Sequence, residues 1–218
     1  MKMKMNTKTN IINMKKKIIA LLAFAFSITC NAQSAKDVLN NVMTTIKSYS
    51  DISAEFDYIM LNEDAGIDET MQGSLWSKGK AYKVKLDGQE MICDGTTTWT
   101  YISESNEVMI SDADGESSNP LTILEEYYDK VNAKLLKTND LTKISLEMTP
   151  RGDDDRFTKM RLDINAKTMQ PQCVTITDGN GTDFICKIKK FEVNKQLDDK
   201  LFTFNAKQHP GVEIIDMR

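Results

Sequence analysis

The sequence predicts an α+β domain, one amphipathic helix followed by a mainly antiparallel sheet. Three observations carry this. Apolar residues recur at three- and four-residue steps over 34–49. Beyond that stretch the apolar period falls to two in run after run. Turn signals rich in Asp and Gly separate the runs. A period near 3.6 marks a helix with one buried side, and a period of two marks a strand with one wet and one apolar face. Antiparallel sheets tolerate such a solvated face, whereas parallel ones are covered on both.

The chain of 218 residues opens with a segment unlike the rest. Residues 1–32 hold six lysines and no acid. Lys15-Lys16-Lys17 precede an apolar run of eleven residues, Ile18 to Ile28, and then Cys30-Asn31-Ala32. Charge, apolar run and small-x-small site, in that order, are the plan of a secretory signal peptide. The run falls short of the ~20 residues that cross a bilayer core. We expect a signal peptide at 1–32, started at Met1 or Met14, and one exported domain at 33–218 without a transmembrane anchor. Lipidation at Cys30 is the competing reading, and Thr29 is a poor residue before a lipidated cysteine.

The helix follows at once. Val38, Leu39, Val42, Ile46 and Tyr49 share one face, and Ser34 with Asp37 three residues on forms a loose capping box. Strands are expected where Ala54, Phe56 and Tyr58, then Tyr82, Val84 and Leu86, then Ile144, Leu146 and Met148, then Met160, Leu162 and Ile164 alternate with polar residues. Glu63 to Gly66, Lys78-Gly79, Asp87-Gly88, Asp94-Gly95 and Asp178 to Gly181 supply the turns. A second helix is expected from Leu121 to Tyr128, with Asn119 as N-cap and Pro120 at the first helical position. Strands at this spacing suggest a sandwich or a barrel.

Composition narrows function by exclusion. The chain carries 28 basic and 32 acidic residues; without the six lysines of the leader, 22 basic residues face 32 acidic ones. A net −10 argues against nucleic acid as a partner, because phosphate needs a basic face. One histidine excludes a His-rich metal centre, and four cysteines without C-x-x-C exclude a zinc ribbon. His209 lies in a His-Pro-Gly turn without a G-x-S-x-G elbow. Asp112 to Gly115 and Asp178 to Gly181 fail the calcium-loop spacing, and Asp153-Asp154-Asp155 reads as a solvated turn. We therefore expect no enzyme, no metal and no cofactor.

Trp76 and Trp99 each lie in a strand bounded by turns. Periodicity does not decide whether the inward residues form a dry core or line a cavity. Three stretches bear on this choice: Ile52-Ser53-Ala54-Glu55-Phe56; Gly73-Ser74-Leu75-Trp76-Ser77-Lys78 with Met91 to Gly95 and Thr98-Trp99-Thr100-Tyr101; and Phe202-Thr203-Phe204 with Pro210-Gly211-Val212. In order and spacing they resemble the LolA family of periplasmic lipoprotein carriers. Asn119-Pro120-Leu121 falls where that family places a lid helix.

The resemblance implies an open, strongly curved antiparallel sheet, an unclosed barrel covered by a helical lid. It implies a periplasmic monomer whose apolar hollow takes acylated lipoproteins, or another lipid, between an inner-membrane donor complex and an outer-membrane acceptor. A sixteen-carbon chain costs on the order of 12 kcal/mol in water at roughly 0.8 kcal/mol per CH₂, so crossing water needs a cover. The expected lining is Leu75, Trp76, Tyr82, Val84, Leu86, Met91, Trp99, Ile144, Leu146, Met160 and Leu162. The expected lid is Val38, Val42 and Ile46 with Leu121 and Leu124. Nine of the thirteen methionines follow Ala32 and add adaptable apolar surface. One departure stands out. The family commonly carries an arginine shortly after the tryptophan of G-x-L-W, and here Lys78 and Lys80 stand instead. Lysine lacks the bidentate fork. A lipid-binding or lipid-sensing relative that delivers no lipoprotein is the alternative.

The last expectation concerns thiols. With Gly179-Asn180 as a two-residue loop, Cys173 and Cys186 face each other in a non-hydrogen-bonded pair, within reach of a disulfide. Two small buried thiols side by side are the equal alternative.

Overall fold

The computed structural model describes residues 34–113, 121, 123–152 and 157–218. Everything below concerns those residues, within the unit Ser34–Arg218. The leader, Cys30, Asp153 to Asp155 and the Asn119-Pro120 helix start lie outside them.

Helix α1 spans Ala35–Lys47. The Asp37 N–H donates to Ser34 Oγ at 3.1 Å, and Asp37 Oδ2 accepts the Ser34 N–H at 3.1 Å. That reciprocal pair is the capping box expected from the sequence. The second helix is shorter than expected. Helix α2 spans Ile123–Tyr127, with Leu121 in a preceding 3₁₀ turn.

Twelve strands follow one another: β1 Ile52–Asn62, β2 Ile67–Lys78, β3 Ala81–Leu86, β4 Gln89–Cys93, β5 Thr97–Ile102, β6 Glu107–Asp112, β7 Val131–Leu136, β8 Lys143–Pro150, β9 Lys159–Asn165, β10 Pro171–Thr177, β11 Asp183–Val193 and β12 Glu213–Asp216. They form one sheet in the order β12-β6-β5-β4-β3-β2-β1-β11-β10-β9-β8-β7. Every pairing is antiparallel except β12 on β6. The end strands β7 and β12 do not pair, so the sheet is not closed into a barrel.

Hairpin chemistry sets much of the register. Asp87-Gly88 is a two-residue loop with φ of 45° and 77°, the primed geometry that matches strand twist. The β10–β11 hairpin differs from the expectation. Thr177 pairs with Asp183, and the Asp178 N–H donates to the Thr182 carbonyl at 3.0 Å. The loop therefore has three residues, Gly179-Asn180-Gly181, closed by Gly181 at φ +79°. One extra residue moves each pair by one: Cys173 faces Lys187, and Cys186 faces Val174. Successive side chains alternate faces, so the two cysteines point to opposite sides of the sheet, and both are free thiols. The expected facing of Cys173 and Cys186, whether as a disulfide or as two thiols side by side, is thereby corrected.

The largest packed cluster sits on one half of one face, while Ile52, Leu75, Tyr82, Ile92, Tyr101, Val108 and Phe202 are buried elsewhere on the sheet and tail. Val38, Leu39 and Val42 of α1 and Leu124 and Tyr127 of α2 pack with Val131, Leu146, Met148, Phe157, Met160, Leu162 and Ile164. All are buried. Partly buried Ile46, Ile144, Val174 and Ile176 complete the cluster. Among the described residues it draws on no side chain of β1–β6 or β11.

A long tail crosses from the start of β1 past β2 and β3 to β6. Beyond β11, Asp51 accepts the Lys195 N–H at 2.7 Å and the Gln196 N–H at 3.0 Å. Lys78 donates to the Leu197 carbonyl at 2.9 Å and to Asp199 at 2.6 Å. A 3₁₀ turn, Asp199–Phe202, lies against β3, and the tail ends as β12 beside β6.

Candidate functional site

Register carries the core face across the whole sheet. The ladder Leu146–Leu162–Val174–Cys186–Tyr58–Met71 runs from β8 to β2 along directly opposed pairs. A second ladder, Ala54–Leu75–Val84–Met91–Thr100–Met109, continues from β1 to β6 on that same face. Alternation in β1 links the two, because Ala54 and Tyr58 share a side. This inner face therefore has two halves. Over β7–β10 it is filled by α1 and α2. Over β11 and β1–β6 it presents half-buried Phe56, Tyr58, Met60, Met71, Val84, Leu86, Met109, Phe184 and Ile188, with Met91 41% exposed.

The residues expected to line a cavity divide accordingly. Leu75, Tyr82, Val84, Leu86 and Met91 lie on the inner face of the second half. Tyr82 is buried, and its hydroxyl donates to Met91 Sδ at 3.6 Å. Burial raises its pKa above the ordinary tyrosine value, with Cys93 adding to the shift. Ile144, Leu146, Met160 and Leu162 lie on the same face but inside the packed cluster, against Val38, Val42, Ile46 and Leu124. Leu121 is partly buried.

Trp76 and Trp99 fall on the other side. Trp76 pairs with Ser53 and Lys83, and Trp99 with Ile92 and Ile110, one step out of phase with Leu75, Val84 and Met91. Strand alternation forces this. Leu75 and Trp76 are neighbours, and only one can face inward. Both tryptophans belong to the outer face.

That outer face is salt-bridged and strapped. Glu90 accepts from Lys83 at 2.7 Å and from Lys85. Burial pushes the Glu90 carboxyl up, yet the two lysines outweigh it and hold it below the usual carboxylate range. His209 is part-buried. It stacks on Phe204 at 4.9 Å between ring centroids and lies 4.2 Å from the Tyr101 ring, so the tail covers Tyr101. Lys78, where the family resemblance expects arginine chemistry nearby, holds the tail and not α1 or α2.

The acidic turns act locally. Asp178 Oδ1 accepts the Asn180 and Thr182 N–H groups, and Asp94 Oδ1 accepts those of Thr96 and Thr97. Among the described residues no group of three His, Cys, Asp or Glu side chains could hold a metal ion. Among them, too, no helix is long and apolar enough to cross a membrane. Chemically, the inner face of the second half offers apolar contact, methionine polarisability and few charges.

Residues 47–205 match the family model "Outer membrane lipoprotein carrier protein LolA". No curated protein matches the chain. Among solved structures, an uncharacterized conserved protein from Thermus thermophilus superposes with a TM-score of 0.56 at 13% identity, covering 84% of this chain and 98% of that one. MucB superposes with a TM-score of 0.50 at 14% identity, covering 79% of this chain and 63% of that one. A LolA superfamily protein from Nitrosomonas europaea gives 0.41 at 13% identity, over 78% of this chain and 98% of that one. These likenesses concern the fold.

Proposed function

The chain belongs to the LolA family of outer membrane lipoprotein carrier proteins, and on that premise we propose that it shields acyl chains of lipoproteins during their passage across the periplasm. The binding surface is the inner face of β11 and β1–β6. One observation supports this above the others. The face is largely apolar across seven strands, and although Ala54, Leu75, Tyr82 and Cys93 are buried, most of its large side chains, from Phe56, Tyr58 and Met71 to Val84, Leu86 and Met91, stay part-exposed and stand apart from the packed cluster. Exposed apolar patches of this kind mark binding surfaces in soluble proteins. Residues 1–32 serve as the export signal, the domain at 33–218 works as a monomer in the periplasm, and its partners are a donor complex and an outer-membrane acceptor.

Lys78 supports a second reading, a lipid-binding module that delivers nothing. Its ammonium is engaged by Leu197 and Asp199 of the tail, which leaves the lid helices without that cation. Co-purification separates the two. Exported protein is isolated from periplasm and its bound material is identified by mass spectrometry. Acylated protein supports the carrier, free lipid without protein supports the second reading, and no acyl material at all rejects both.

A further inference from the structure

Gly73 has a role that turn chemistry does not explain. It sits mid-strand in β2, directly opposite Phe56 of β1 and Leu86 of β3, on the inner face. A Cβ placed there would lie 2.3 Å from both Cε2 and Cζ of Phe56 and 3.1 Å from its Cδ2. The far edge of the ring therefore occupies the space a side chain would take. A mid-strand glycine costs backbone entropy and strand propensity and marks a bulge, a bend or a close approach; register runs unbroken through Gly73, and close approach is what the geometry shows. Here that group is an aromatic ring lying across the strand pair.

We propose that Gly73 and Phe56 together set the depth of the acyl-binding face, and so the length of chain the protein retains. The inference rests on the acyl-shielding reading above. With glycine at 73, the ring lies down on β2 and becomes part of the floor. With any side chain at 73, the ring has to leave. Ala54 and Tyr58 precede and follow it on the same face of β1, Ile188 is its partner on β11, and Leu86 lies beyond Gly73. Those positions are taken, so the displaced ring swings off the sheet into the space above the floor. Staggered side-chain rotamers leave few other exits. The result is a shallower face at its centre, between Leu86 and Ile188.

The proposal is read by chain length. Straight-chain fatty acids of ten to eighteen carbons displace a fluorescent acyl probe from the exported protein. Each buried CH₂ adds about fourfold to affinity, from roughly 0.8 kcal/mol. For Gly73→Ala we expect the longest chains to bind on the order of tenfold more weakly, the equivalent of about two methylenes left uncovered. The shortest chains should be little changed. Phe56→Ala, which removes the ring and leaves the glycine, should shift the optimum to longer chains and stays informative where Gly73→Ala fails to fold. Phe56→Ala combined with Gly73→Ala should regain the long chains. A length profile unchanged in the folded variants, with wild type binding normally, overturns the depth role and leaves the acyl-shielding reading intact. No binding of any probe by wild type overturns that reading and this inference with it.

Discussion

Asp51 shows how one residue can anchor a segment that lies far away in sequence. It is 2% exposed and stands just before β1, where its carboxylate takes the N–H groups of Lys195 and Gln196 and the hydroxyl of Ser50. Asn194 and Gln196 adopt positive φ there, a conformation most side chains avoid, so the carboxylate holds a turn that would not form alone. Burial pushes the Asp51 carboxyl up, but the hydrogen bonds outweigh it and its pKa falls below the ordinary value near 3.8. In the unfolded chain the carboxyl takes a proton at that ordinary value. Its stabilisation is therefore complete above it and is lost as pH falls through the lower, folded value. Asp51→Ala should cost about 2 kcal/mol, the range for hydrogen bonds to a charged group. The melting temperature at neutral pH, compared with that below pH 3, checks this. The gap between wild type and variant should shrink in acid, and a gap that stays constant would mean that the ionised carboxylate is not the anchor.

Among elements, the β10–β11 hairpin decides the thiol chemistry. A three-residue loop puts Cys173 beside Asp163 and Lys187 on the outer face and Cys186 beside Tyr58 and Val174 on the inner one. Burial pushes the Cys186 thiol up to about 11, with Cys173 a lesser influence. Protein lacking residues 1–32 should therefore titrate three free thiols, Cys93, Cys173 and Cys186, when denatured without reductant. A single thiol would restore the two-residue register. The two-residue expectation fails because Asp178-Gly179-Asn180-Gly181 fits two loop lengths, and only backbone geometry at Gly181 separates them. Other elements were plain in the sequence. The α1 cap and the alternation in β1, β3, β8 and β9 depend on residues near one another in the chain, where local rules decide. Three things were not local. The faces of Trp76 and Trp99 depend on strand phase relative to Leu75 and Met91, and β12 on pairing with β6 about a hundred residues away. The third, the open sheet, came from the family resemblance, since periodicity left sandwich and barrel both open.

At the scale of the molecule, one continuous sheet face does two jobs. Over β7–β10 it is a dense core; over β11 and β1–β6 it is an apolar surface held in place by the rest of the sheet. Leu146 is fully buried under α1 and α2, whereas Val84 is half-buried on the same face, several strands away. Burying an unpaired charge is among the costliest substitutions, but only where water cannot follow it. Leu146→Glu should therefore unfold the protein at room temperature, at a cost beyond about 4 kcal/mol. Val84→Glu should fold, melt within a few degrees of wild type and lose a fluorescent acyl probe, because the carboxylate meets water when the face is empty and hydrocarbon when it is occupied. Thermal melts and probe retention, measured on both variants, test the division. Probe retained by a folded Val84→Glu protein would remove β3 from the binding surface. A near-normal melt for Leu146→Glu would mean that the β7–β10 half is also open to water, and that the division between a filled and a lined half is wrong.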